Sequence, residues 1–191
     1  MKSRLTLLFL FIGIVTFAQS EEALKKGAKQ MYEASYNLNF ETVLDLTYPK
    51  IFDIASREQL GQILQNSFLN EQFQIRLVFP EVTLKYGKIK EIEGKKAVFI
   101  TYVSAMRMTF DQKFYGNEAQ EMLMGLKQSL PEKKVTFEPN TNSFFIEGTD
   151  AMLAISDNHT HKTWKFITYD KVQRPMLVQM LGENILKELG L

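Results

Sequence analysis

Cysteine is absent from all 191 residues. No disulfide can form, and lipidation of a cysteine behind a leader peptide is excluded. Histidine is nearly absent too, with only His159 and His161, two residues apart in a segment of turn-forming character. An H-x-H pair with Asp157 supplies three metal ligands only if all three converge, and solvated loop residues are the stronger reading. There is no basic surplus: 23 Lys and Arg stand against 22 Asp and Glu, which argues against a nucleic-acid partner. Gly-rich phosphate loops, nucleophile elbows and zinc-protease motifs are all missing. So are internal repeats, low-complexity linkers and any shift in composition that would mark a second domain.

What is present begins with an export signal. Lys2 and Arg4 precede an apolar run from Leu5 to Val15, and Thr16-Phe17-Ala18 places small residues three and one positions before a cut after Ala18. The run is too short to span a bilayer comfortably, and Gln19-Ser20-Glu21-Glu22 follows at once. Residues 1–18 are therefore expected to be a signal peptide and 19–191 a single domain. That domain is destined for the periplasm or the exterior, with no membrane segment after cleavage. A chain of this length buries about 70% of its unfolded surface, so missing disulfides cost it little.

The domain turns on Lys96 to Phe110, a run dense in β-branched and aromatic residues that reads as one central strand. Alternation puts Val98, Ile100, Tyr102, Ser104, Met106, Met108 and Phe110 on one face. Ala97, Phe99, Thr101, Val103, Ala105 and Arg107 lie on the other. Helices come first. Ser20 is a candidate cap for a helix with Leu24, Ala28, Met31, Ser35 and Leu38 at helical spacing, and Asn39 caps a second, short one. Tyr48-Pro49 stops that helix, and Ser56 to Gln59 forms a capping box for a third. From Gln74 the period becomes two. Beyond the central strand, Asn117 to Leu130 is helical. Val135 to Glu138 with Ser143 to Glu147, and Asp150 to Ser156 with Thr163 to Tyr169, read as two hairpins. Pro175 opens a final helix whose buried side carries Leu177, Leu181, Ile185 and Leu189.

Helices followed by an antiparallel sheet define an α+β order. The run Asn39 to Gln65, with Leu46-Thr47-Tyr48-Pro49-Lys50 before a capped helix, resembles secreted members of the nuclear transport factor 2-like (cystatin-like cone) superfamily. So does the ending, where Ala154-Ile155-Ser156 leads through a turn into Lys162 to Ile167. The resemblance implies N-terminal helices packed in a curved antiparallel sheet, a cystatin-like roll with a conical pocket. The helix and hairpin after Asn117 then form an insertion and the C-terminal helix an addition, either of them placed to cap the cone.

Relatives on that fold include isomerases, dehydratases and cyclases, but a fold does not transfer an activity, and the catalytic inventory is thin. Glu147, on one strand face with Phe145, is the acid to suspect of partial burial; Arg107, between two methionines, is placed to grip a ligand carboxylate. Met106 and Met108 share a face at a spacing that can hold Cu(I), yet methionine is ordinary core filler. Tyr48, Tyr102 and Trp164 complete the candidate pocket lining. No catalytic residue, metal site or cofactor is assigned. The leading expectation is an exported, non-enzymatic domain holding a small apolar or amphipathic ligand between Tyr102, Met106 and Met108. The alternatives are a homodimer or interaction module using Phe99 and Val103 on the outer sheet face, and an acid–base enzyme of the cone pocket.

Overall fold

The computed structural model describes residues 20–191. The expected signal peptide and its cut after Ala18 lie outside them. Helix α1 (20–36) carries Leu24, Ala28, Met31 and Ala34 on its buried stripe. Ser20 is itself helical rather than a cap. At the other end Leu38 leaves the expected stripe: it turns the chain at a φ of 53°, and the Asn39 N–H reaches back to the Ala34 carbonyl at 2.8 Å. Asn39 then caps α2 (Phe40–Leu46), its side-chain oxygen accepting the Thr42 N–H at 3.1 Å. Pro49 starts a single 3₁₀ turn, Pro49–Asp53. The capping box of α3 (Arg57–Phe68) is complete, Ser56 Oγ accepting from the Gln59 N–H and Gln59 Oε1 from the Ser56 N–H. Despite that start α3 buries no residue fully, and Ile63 on its apolar side is 55% exposed.

One antiparallel sheet of seven strands follows: β1 (Phe73–Leu77), β2 (Lys85–Tyr86), β3 (Lys90–Ile92), β4 (Lys95–Phe110), β5 (Lys134–Glu138), β6 (Ser143–Ser156) and β7 (Lys165–Tyr169). With six α-helices among the described residues, the α+β class stands. The long strand is central as expected. β4 and β6 pair continuously from Lys96 opposite Ser156 to Thr109 opposite Ser143. β1, β2 and β3 share the other edge of β4, while β5 and β7 share the other edge of β6.

Two readings of the sequence need correction. The break expected between Glu147 and Asp150 does not exist: β6 runs straight through Gly148. The glycine answers a close approach instead of a turn, because a Cβ there would collide with the Lys133 side chain and lie 3.4 Å from the Glu132 carbonyl. The single final helix is two, α5 (Arg174–Leu181) and α6 (Glu183–Leu189), broken at Gly182 with φ 94°.

The β4–β6 ribbon is covered unevenly. At its first end α1 packs on Val98, Ile100, Met152 and Ala154, and α5 and α6 pack on Ala97, Leu153 and Ile155 of the opposite face. At the far end α4 (Glu118–Ser129) brings Leu123 and Leu126 to Met106, Phe110, Phe144 and Ile146. The reverse face there is open, with Val103, Lys134, Thr136 and Thr149 exposed. The outer-face pair Phe99 and Val103 is thereby split. Phe99 stands edge-on to Tyr169 (5.3 Å between ring centroids), partly buried in the cluster with α5 and α6, whereas Val103 is 50% exposed.

Candidate functional site

The weak burial of α3 leaves an apolar groove of about 280 Å³ between α2 and α3 on one side and β7 and the start of α5 on the other. Its floor includes Val43, Leu44 and Phe166, and its α3 wall Leu60 and Leu64. Ile63 and Ile54 stand at its lip, 55% and 52% exposed. Of fifteen lining residues none is charged, and only Thr47, Thr168 and Gln173 are polar. Thr47 spends its hydroxyl proton on the Val43 carbonyl at 2.8 Å. The Tyr48 N–H donates to the Phe166 carbonyl at 3.0 Å, so Phe166 turns its peptide groups to the outer edge of β7. Strand alternation turns those of Thr168, two residues on, the same way, toward the groove mouth. The site thus offers apolar walls and a few neutral hydrogen-bonding groups at one end.

A second constellation lies on the α1 and α4 side of the ribbon, between their two apolar clusters. The Asp150 carboxylate accepts from the Ser104 hydroxyl and from the Lys133 ammonium. Lys133 also donates to the Thr149 carbonyl at 2.9 Å. Lys133 is 15% and Asp150 29% exposed at the side chain, so the pair is sheltered. Next to it Tyr32 meets Tyr102 edge-on at 5.6 Å and donates to the Phe79 carbonyl at 2.7 Å. Burial first, and then the Asp150 charge, push the Tyr102 phenol well above its usual range. Both Asp150 oxygens are engaged, so the cluster fastens the α4–β5 connection to the sheet more readily than it moves protons. The sequence held half of this signal. Asp150 has the parity of Phe144, Ile146, Met152 and Ala154, an acid on an otherwise apolar strand face. Lys133 comes from a loop, and no periodicity announces it.

The seven candidate residues fall into three groups, and none lines the groove. Tyr102, Met106, Met108 and Trp164 share the α1 and α4 side. Met106 packs into the far cluster, Met108 sits opposite Ile75 and Phe144, and Trp164 is 7% exposed with its indole N–H on the Ser20 carbonyl at 2.8 Å. Arg107 and Glu147 lie on the open face. Arg107 Nε donates to Glu138 Oε2 at 2.9 Å, its guanidinium 5.9 Å from the Phe145 ring centre, and Glu147 is in register with Lys134. Tyr48 belongs with the α5–α6 cluster, fully buried, donating to Asp157 Oδ2 at 2.7 Å. Asp157 in turn holds the turn after β6 by accepting the Thr160 N–H at 3.0 Å. His159 and His161 are exposed in that turn. Among the described residues no three His, Asp or Glu side chains gather as a metal site, and no helix is long and apolar enough to cross a membrane.

No family model, curated protein or solved structure matches the chain.

Proposed function

We propose that this chain is an exported, non-enzymatic domain that binds a small apolar or amphipathic molecule in the groove between α3 and β7. The observation that carries the reading is the groove's lining, which has no charged residue and only three polar ones among fifteen. Its volume of about 280 Å³ is roughly twice that of a dry protein cavity that takes benzene, enough for one ring or a short chain. Export rests on the leader-like run from Lys2 to Ala18. The superfamily resemblance is carried forward in the same spirit: α1 lying against one face of a long antiparallel ribbon suits a nuclear transport factor 2-like cone. Here, however, the ligand is placed at the edge of the sheet beneath α3, and not among Tyr102, Met106 and Met108.

Isothermal titration of the domain with decan-1-ol tests this. Ala55→Trp fills the groove and Ile63→Asp charges its lip, and each is expected to weaken binding at least tenfold. Val103→Asp, on the open stretch of the ribbon and not among the groove's lining residues, is expected to leave it unchanged. Absence of binding to the unaltered domain, or undiminished binding by Ala55→Trp, overturns the assignment.

A further inference from the structure

The open face at the far end of the ribbon carries an arrangement that packing does not explain. In the β1–β4 register Arg76 stands directly opposite Arg107. Directly opposed residues of an antiparallel pair point to the same side, with Cα atoms about 4.5 to 5.5 Å apart, and like charges so placed destabilise the pairing. Arg107 is partly compensated, held by Glu138 and leaning toward the Phe145 ring. Arg76 is exposed, and among the described residues no carboxylate lies within ion-pair distance of it. Two residue pairs further along, Gln74 faces Thr109 on the same side, adding an amide and a hydroxyl. Glu147 and Lys134, also on this face, are in register with each other.

We propose that Arg76 and Arg107 form a binding site for a small oxyanion, a phosphate or carboxylate group bridging the two guanidiniums. Two planar forks side by side match the oxygen geometry of such groups, which a single lysine does not. Arg107 is already oriented by Glu138 and Phe145, so the anion has only Arg76 to order. Glu138 is the internal competitor, occupying part of the donor set that a ligand oxygen would use.

That competition supplies a test with opposite signs. Inorganic phosphate and acetate are titrated calorimetrically into the domain, Arg76→Gln and Glu138→Gln, in Tris chloride at constant ionic strength. Arg76→Gln is expected to lose at least tenfold in phosphate affinity, whereas Glu138→Gln gains severalfold. In anion-poor buffer Arg76→Gln is expected to melt above the unaltered domain, because a like-charge pair is gone, and saturating phosphate should erase that advantage. Phosphate preferred over acetate assigns the site to phosphate groups; equal binding assigns it to carboxylates as well. Equal phosphate affinity in the unaltered domain and Arg76→Gln, or no binding by any of the three proteins, overturns the proposal.

Discussion

The two ends of the β4–β6 ribbon are made by the same pair of strands and differ in almost everything else. At the Lys96–Ser156 end both faces are covered, and Ala97, Val98, Ile100, Leu153, Ala154 and Ile155 are fully buried. At the Thr109–Ser143 end one face lies under α4 and the other carries arginines, glutamates and threonines in water. Strand alternation explains most of the far end, where the parity of Met106, Met108, Phe144 and Ile146 is mainly apolar and the parity of Arg107, Thr109, Glu147 and Thr149 is mixed, with Val103, Ala105 and Phe145 among the polar residues. It does not explain the near end, whose sequence is apolar on both parities and so demands two covering layers. The contrast shows that the C-terminal helices are a requirement of the sheet. Without α5 and α6, Leu153, Ile155 and Phe99 would face solvent.

The sharpest way to break the comparison is to truncate one residue at each end. Leu153→Ala, in the doubly covered region, is expected to cost about 2 to 5 kcal/mol through lost burial and the cavity left behind. Val103→Ala, 50% exposed on the same sheet face, is expected to stay within about 0.5 kcal/mol. Urea unfolding with an unchanged m-value reads both. Comparable losses would mean that the open face is covered in solution.

Much of this contrast was legible beforehand, and what was missed has physical causes. The capping box at Ser56, the cap at Asn39 and the two-residue period of β4 are local signals, and each appears where the residues demand it. Gly148 and Gly182 mark the two departures. The first lies in the expected gap between strands but serves a contact with Lys133 from a loop; the second lies inside the expected final helix and breaks it. The groove was invisible because it arises from an incomplete fit. α3 has the apolar spacing of a buried helix, and only its seating against β7 leaves Ile63 in water. Tyr48 is the converse case. Expected among the pocket lining, it spends its hydroxyl inside on Asp157, which lies 109 positions further along the chain.

Alkaline pH separates the covered from the uncovered regions by a second route. Tyr48 is held above the usual phenol value of 10.0 by burial and by its hydrogen bond to Asp157, and Tyr102 by burial and the Asp150 charge. A phenol whose pKa is higher folded than unfolded keeps its proton longer in the native state. Its contribution is therefore intact below pH 10 and is lost as pH rises beyond it. Phenolate absorbance from Tyr48 and Tyr102 is expected to appear only with unfolding. Tyr48→Phe should flatten the alkaline loss of stability. A single smooth titration of all tyrosines would contradict the burial assigned to both.

The smallest effect belongs to the open face. Arg107 holds the Glu138 carboxyl below the usual carboxylate range, helped by hydrogen bonds from Thr141 and Ser143. A carboxyl whose pKa is lower folded than unfolded stabilises the fold above its ordinary value of 4.5, and the contribution disappears as pH falls through the native value. The two side chains are 39% and 36% exposed, so solvent screening keeps the pair to a few tenths of a kcal/mol. Glu138→Gln should remove that portion of the acid-induced loss, and raising salt to about 1 M should hide the difference, because the screening length then falls to about 3 Å. The Lys133–Asp150 pair sets the scale on the covered side of the same ribbon, at 15% and 29% exposure. Its removal by Lys133→Met should cost more and respond less to salt. If the two pairs respond to salt alike, the sheltering beside α4 that distinguishes the two faces is absent in solution.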